Sequence, residues 1–374
     1  MIPRLPLGSV LAPKTPLNKP TGFEFWLKSL KGARHVVAPM VDQSEEAWRM
    51  LSRRYGAQLC YTPMFHARLF IENQYYREEQ FTTNPEDRPL ITQFCANDAE
   101  TLLKAALLVE DKCDAVDLNI GCPQQIAKKG RYGSYLMEDW GLLKEMVNVL
   151  HNQLKIPVTC KIRIFPDTDK TIEYAQMLED AGAQLLTVHG RIREQKGHNT
   201  GLADWEQIRR VREAVSVPVF ANGNILYHED VQRCLDYTGV EGVMSAEGNL
   251  HNPAIFSGQF PPAWKVAQEY LEICRTIPTR FHMIRPHLFK LFRPCLHMHT
   301  DMRDQLARAK SMVHFEEIVQ ILRHRLEEAA NNASDEIALD ASGGRVIPHW
   351  LCQPYLRAPL SEIIRRPFPG YQNP

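Results

Sequence analysis

The chain has 374 residues, 44% of them hydrophobic, and its 44 Lys and Arg are balanced by 44 Asp and Glu. That length exceeds one typical domain and falls short of three, so two domains, or one large barrel with an appendage, are expected. The charge balance excludes a globally basic or acidic surface and leaves only local ones; no apolar run approaches the ~18 residues of a membrane span; and nine cysteines without a Cys-x-x-Cys pair, behind no secretory segment, point to reduced thiols inside the cell.

Residues 1–34 are rich in proline (Pro3, Pro6, Pro13, Pro16, Pro20) and read as a mobile arm ending in a docking segment, Phe23-Glu24-Phe25-Trp26. From His35 onward, strands are predicted at 35–40, 59–64, 90–94, 115–121, 158–164, 185–190, 219–225 and 242–248. Helices are predicted between most of them, at 44–55, 98–111, 139–151, 169–180, 204–214 and 228–236, several opened by a Ser or Asp N-cap. Nearly continuous apolar strands separated by helices imply a parallel sheet. Eight such units, with no Gly-x-Gly-x-x-Gly turn after the first strand, fit a closed (β/α)8 TIM barrel better than an open doubly wound sheet. The period breaks at Gln259-Phe260-Pro261-Pro262. Helices follow at 264–274, 280–296, 302–310 and 313–330, then a loop to Gly344 and a proline-rich tail. The expected organisation is an arm over 1–34, a catalytic barrel over 35–260, a smaller C-terminal helical domain over 261–345 and an extended tail over 346–374.

The active site of such a barrel lies at the C-terminal strand ends. Gathered there are Ala38-Pro39-Met40-Val41, Gln93, Asn119, Cys122, Lys161, Arg163, His189, Arg191 and Asn222-Gly223-Asn224. Lys161 and Arg163, two apart on one strand, share a face, and two cations together call for an anion. Cys122 sits between Gly121 and Pro123 on a stiff turn, where it reads either as a proton donor or as a buried structural thiol. The small-residue turns Asn222-Gly223-Asn224 and Ala246-Glu247-Gly248 offer backbone N–H groups to a phosphate. Between Ile273 and Thr300 stand five Lys or Arg and no acid, interleaved with Phe281, Phe289 and Phe292. Cys295-x-His297-x-His299 supplies three ligand types at strand-like spacing in a helical stretch, so no metal site is expected.

Seven motifs in order resemble the flavin-dependent tRNA-dihydrouridine synthases: Ala38-Pro39-Met40, Gln93-Phe94, Asn119-Ile120-Gly121-Cys122-Pro123, Lys161-Ile162-Arg163, Val188-His189-Gly190-Arg191, Ala221-Asn222-Gly223-Asn224-Ile225 and Asn252-Pro253-Ala254-Ile255-Phe256. Ser245-Ala246-Glu247-Gly248-Asn249-Leu250 is most similar to the eukaryotic branch that acts on positions 16 and 17 of the D-loop. Many relatives have Gly-Arg where Ala246-Glu247 stands, and Glu247 cannot clamp a phosphate. The resemblance implies reduction of uridine to 5,6-dihydrouridine in tRNA, with hydride from FMN that NADPH or NADH has reduced. It implies Cys122 as the acid; an ordinary thiol, with pKa about 8.5, is largely protonated at neutral pH. It further implies Pro39, Met40, Val41, Gln93, Lys161, His189, Asn222, Gly223, Asn224, Ala246 and Glu247 around the cofactor. Asn119 and Arg163 would hold the uracil, and Lys128, Lys129, Arg131, Arg191, Arg285, Lys290 and Arg293 the RNA. Such an enzyme is expected to be a monomer in the cytoplasm, with the nucleus also open. The competing readings are an FMN-dependent dehydrogenase of a free pyrimidine and a non-catalytic tRNA-binding protein on the same fold.

Overall fold

The computed structural model describes residues 19–333 and 346–356, which leaves most of the expected arm, the loop after Ala333 and most of the tail outside the described residues. Nine strands form one parallel sheet: β1 (His35–Val37), β2 (Leu59–Tyr61), β3 (Phe65–His66), β4 (Leu90–Cys95), β5 (Ala115–Ile120), β6 (Val158–Arg163), β7 (Leu186–His189), β8 (Val219–Asn222) and β9 (Gly242–Ser245). From β4 to β9 each strand pairs with its successor; β9 pairs with β1 (Val36 opposite Met244), β1 with β2 (Val36 opposite Leu59), and β2 with β4 (Cys60 opposite Leu90). The ring thus closes with eight strands as a (β/α)8 TIM barrel. Strand β3 is a two-residue addition on β4.

The strands form where the sequence runs apolar on both faces, as burial under surrounding helices requires. Every residue of β4, β5, β8 and β9 is buried. Helices at Ala99–Leu107, Trp140–Gln153, Thr168–Asp180 and Trp205–Ala214 start where an aspartate accepts a backbone N–H: Asp98 from Thr101 (2.7 Å), Asp139 from Leu142 (3.3 Å), Asp167 from Asp169 (2.9 Å) and Asp204 from Gln207 (2.9 Å). Ahead of β1, Thr21 and Glu24 form a capping box and the chain coils through Gly22–Ser29, burying Phe25 completely.

The chain divides into two compact units. Among the described residues, one holds those up to Glu46, Ala57–Ile225 and Asp230–Ser245; the other holds Ala47–Gly56, Leu226–Glu229 and those from Ala246 on. All nine strands lie in the first unit. The described part of the second is helical, with helices at Glu247–His251, Ala263–Thr276, Phe281–Leu291, Thr300–Arg308 and Met312–Asn331. Its core is organised around Trp48, which stacks on His287 (centroids 3.9 Å apart), meets Tyr270 edge-on and donates Nε1–H to Asn249 Oδ1 at 2.8 Å. The predicted helix 280–296 ends early, at Leu291. Pro294 disfavours helical geometry at Arg293 and ends the run. No helix among the described residues is long and apolar enough to cross a membrane.

Candidate active site

Alternation along the strands places Gln93 of β4, Asp117 and Asn119 of β5, and Thr159 and Lys161 of β6 side by side in the barrel. Gln93, Asp117, Asn119 and Thr159 are buried, and they form one continuous polar chain. Thr159 Oγ1 donates to Asp117 Oδ1 (2.6 Å) and Gln93 Nε2 donates to Asp117 Oδ2 (2.8 Å). Asn119 Nδ2 donates to Gln93 Oε1 (2.8 Å), while Asn119 Oδ1 accepts from the backbone N–H of Gly121 (3.1 Å) and of Cys122 (2.9 Å). Both ends fix its direction: a carboxylate only accepts and a backbone N–H only donates, so each amide has a single orientation that satisfies its neighbours. Burial pushes the Asp117 carboxyl up to about 6, opposed by its two hydrogen bonds and by the charge on Lys161.

The chain ends on the loop that carries Cys122, and other contacts hold that loop. The Cys122 carbonyl accepts from Ser134 N (3.1 Å) and Ser134 Oγ (3.0 Å). Gly133, at φ +62°, backs so closely onto it that a Cβ would stand 2.7 Å from the Cys122 oxygen, so only glycine fits. The Pro123 carbonyl accepts from the Tyr135 hydroxyl (3.2 Å) and Lys196 Nζ (2.9 Å). Arg163 donates to Gly121 O (2.8 Å), Ile192 O (2.7 Å) and Gln195 O (3.1 Å), joining this loop to the one after β7. Of the nine free cysteines Cys122 alone is not buried. Burial pushes the thiols of Cys95, Cys113, Cys234 and Cys295 up to about 12.

Lys161 Nζ donates to Asn222 Oδ1 at 2.9 Å, and Asn222 Nδ2 donates to Met244 O at 2.9 Å. Burial, helped by the charge on Arg163 and opposed by Asp117, lowers the Lys161 ammonium to about 8. His189 is held well below its ordinary range by burial and by the neighbouring cations Lys161, Arg163 and Arg191, so it is neutral. Arg191 donates to His189 Nε2 (3.0 Å), which leaves the ring proton on Nδ1, and also to Gly201 O and Asn224 Oδ1. At the β8 turn Gly223 has φ +116° and Asn224 φ +62°; a Cβ on Gly223 would meet Ala203 Cβ at 2.6 Å. This strand end therefore presents the cations Lys161 and Arg191 and turn N–H groups around uncharged partners, a donor set suited to an anionic, hydrogen-bonding ligand.

The first unit thus brings together, at one end of the barrel, Gln93, Asn119, Cys122, Lys161, Arg163, His189, Arg191, Asn222, Gly223 and Asn224. Pro39, Met40 and Val41 follow β1; the Met40 N–H donates to Ser44 Oγ at 3.0 Å and Val41 is 54% exposed. Lys128 and Lys129 are exposed on the short helix Gln125–Gly130, which Arg131 ends in the left-handed region at φ 51°. Ala246 and Glu247 belong to the second unit, where the Ala246 carbonyl accepts from Leu250 N–H at 3.0 Å and Glu247 opens a five-residue helix. Arg285, Lys290 and Arg293, also in the second unit, line one cavity. Arg275, from the same acid-free run, is paired with Glu316 at 2.5 Å.

Asp117, Thr159, Gly133 and Ser134 were not singled out from sequence. Asp117 stands two residues before Asn119 and Thr159 two before Lys161, so strand alternation marks both as barrel-facing. For Gly133 and Ser134 no local signal exists, because their role is a contact with a loop eleven or twelve positions away.

The family profile described as Dihydrouridine synthase (Dus) matches residues 36–342. The chain is 56% identical over 343 residues to the Rattus norvegicus protein named tRNA-dihydrouridine(16/17) synthase NAD(P)(+)-like, covering 91% of this chain and 78% of the rat one. To the Saccharomyces cerevisiae tRNA-dihydrouridine(16/17) synthase NAD(P)(+) it is 50% identical over 370 residues, covering 91% and 87%. A Mus musculus tRNA-dihydrouridine(20a/20b) synthase-like protein is 39% identical over 256 residues, covering 68% and 78%. With a matching profile over most of its length and half its residues shared with these proteins, the chain belongs to the dihydrouridine synthase family.

Proposed function

We propose that the protein reduces uridine to 5,6-dihydrouridine in tRNA, at positions 16 and 17 of the D-loop. The observation that supports this most is the one partly exposed thiol, Cys122, on a loop pinned beside half-buried Lys161 and neutral His189. Bound flavin mononucleotide, reduced by NADPH or NADH, would supply a hydride for C6 of uracil. Lys161 would neutralise an anionic ring edge, and His189 would donate from Nδ1 or pack against it. The turn at Gly223 and Asn224, with the Arg191 guanidinium beside it, offers donors to a phosphate. Hydride addition at C6 leaves negative charge on C5 and O4 of the base. Cys122 gives its thiol proton to C5, and the thiolate regains a proton from solvent before the next turnover. Asn119 takes the Cys122 backbone N–H and Arg163 bonds the neighbouring Gly121 carbonyl, so both would act on the reaction through the loop. Lys128, Lys129 and Arg131 put positive charge beside the reacting base, where a flipped nucleotide needs its backbone gripped.

Purified protein supplied with FMN, NADPH and an unmodified tRNA transcript should form dihydrouridine, mapped by alkaline ring opening and reverse-transcription stops. Stops at 16 and 17 are the expected result. Product in free uridine or uridine monophosphate but not in tRNA would overturn the substrate assignment.

Asp117→Asn tests the polar chain. An amide at 117 turns an N–H toward Thr159 or Gln93; the second choice inverts Gln93, then Asn119, and sets a donor against the Cys122 N–H. Product formation should fall about tenfold, the equivalent of one lost hydrogen bond of roughly 1.4 kcal/mol, with tRNA affinity unchanged. The pH dependence has a definite sign. Between the ordinary value of 3.8 and about 6 the folded state binds the Asp117 proton that the unfolded chain releases, so wild-type stability falls as pH rises through that window. The variant should lack that slope in urea titrations at pH 4–6. Wild-type turnover in Asp117→Asn would show that the chain of amides does not set the loop.

A further inference from the structure

In the second unit the helix Phe281–Leu291 and the turn after it wall a cavity of about 590 Å³. That is within the size range of small-molecule sites, about 300–1,000 Å³, and larger than a bare phosphate needs. Arg285, Lys290 and Arg293 line it together with Phe289 and Tyr355, and Glu247 is the one acid among its lining residues. Three features distinguish it from a solvated basic helix face. Arg285 donates through a terminal nitrogen to Ala309 O, while its Nε is buried and has no hydrogen-bond partner; a buried donor left without an acceptor is destabilising unless something supplies one. Lys290 is held below the ordinary lysine range, chiefly by burial, with Arg293 adding to the effect and Glu247 opposing it. The Arg293 guanidinium lies 3.6 Å from the centroid of the Tyr355 ring, a stack that fixes a flat cationic surface at the cavity wall.

Donors seeking an acceptor beside a guanidinium–aromatic stack are the set that recognises an unstacked nucleotide, whose phosphate takes the donors and whose base lies on the plane. We propose that this cavity takes one nucleotide of the RNA substrate, with its phosphate between Arg285 and Lys290 and its base against the Arg293–Tyr355 stack. The proposal rests on tRNA being the substrate, as above. It goes beyond that reading in assigning these residues one nucleotide rather than a diffuse electrostatic grip.

The test measures tRNA-transcript binding to the full-length protein across a range of salt. Arg293→Lys keeps the charge and removes the plane. It should raise the dissociation constant about tenfold, as loss of one stacked base does, without changing the log–log salt slope. Lys290→Gln removes a charge and should flatten the slope by about 0.7–0.9. Tyr355→Leu, which takes away the support of the guanidinium, should repeat the Arg293→Lys result, and thermal melting of each variant verifies folding. Transcripts carrying a single abasic nucleotide, scanned through the loops, should contain one position that weakens wild type about tenfold and Arg293→Lys no further. Wild-type affinity in folded Arg293→Lys and Tyr355→Leu, or abasic effects that add to the variants at every position, would overturn the pocket and leave a charged surface. Failure of the substrate reading looks different: wild type itself would then make no dihydrouridine in tRNA and bind the transcript no more tightly than an unrelated RNA.

Discussion

Cys122→Ala should lower dihydrouridine formation by about 10²- to 10⁴-fold, the range lost with a general acid, while NAD(P)H oxidation without tRNA and tRNA affinity stay near wild type. The separation follows from how the loop is held. Asn119 Oδ1 takes the Cys122 backbone N–H, Ser134 donates twice to its carbonyl, and Gly133 closes against it, so none of the contacts that place the residue uses the sulfur. Alanine therefore removes the proton donor and leaves the turn. Nor can a neighbouring thiol take over, because Cys95 is buried and pushed up to about 12. Cys122→Ser keeps a donor of similar size, but a hydroxyl is a much weaker acid than a thiol, so it should recover little of the loss. Single-turnover product formation with pre-reduced protein is the decisive measurement. A wild-type rate from Cys122→Ala would remove the thiol from the mechanism.

How far the site could be read from sequence depends on which contacts are local. The eight barrel strands were legible because burial on both faces writes them as apolar runs, as in Leu90–Cys95 and Ala115–Ile120. The caps Asp98, Asp139 and Asp204 were legible because a cap acts within three residues, as Asp98 does on Thr101, whereas the helix expected from 169 is capped two residues earlier by Asp167. The segment between β2 and β4 was not: β3 and the helices Ala67–Glu72 and Gln74–Gln80 are short, and their mixed polar sequence has no clear period. At the site the polar strand-end residues announced themselves by type and spacing, whereas Asp117 and Thr159, which hold them, did not, nor did the pairings among them. Gln93, Asn119 and Arg163 have the donors and acceptors to face a ligand, yet the structure ties all three into the loop that carries Cys122, through pairings that depend on strand register and on a loop after β7. Likewise, five cations in a row between residues 273 and 300 look alike in sequence. Folding separates Arg275, neutralised by Glu316, from Arg285, Lys290 and Arg293, which converge on one cavity.

Lys161→Met should yield a folded protein that retains flavin poorly and oxidises NAD(P)H at least about 10- to 100-fold more slowly without tRNA, the equivalent of losing one hydrogen bond to a charged group at roughly 1.5–3 kcal/mol. The stability side runs the other way. Burial and the charge on Arg163 lower Lys161 to about 8, so between 8 and its ordinary 10.5 the unfolded chain holds a proton that the folded state has released. Stability must then rise with pH through that window, and below it the fold carries a cation that desolvation disfavours. Methionine is a similar unbranched chain, one atom shorter and without the charge. The variant should melt within a few degrees of wild type at pH 7 and should not gain stability between pH 8 and 10, although Asn222 Oδ1 loses its 2.9 Å donor. A residue kept at the expense of stability is one whose charge is needed by something that binds there, and an anion bound beside Lys161 would raise it back above 8. Flavin-loaded wild type should therefore keep its NAD(P)H oxidation rate to a higher pH than the pH at which the unloaded protein starts to gain stability. Unchanged oxidation in Lys161→Met, with flavin retained, would place the cofactor's charge elsewhere in the barrel and return Lys161 to a purely structural bond with Asn222.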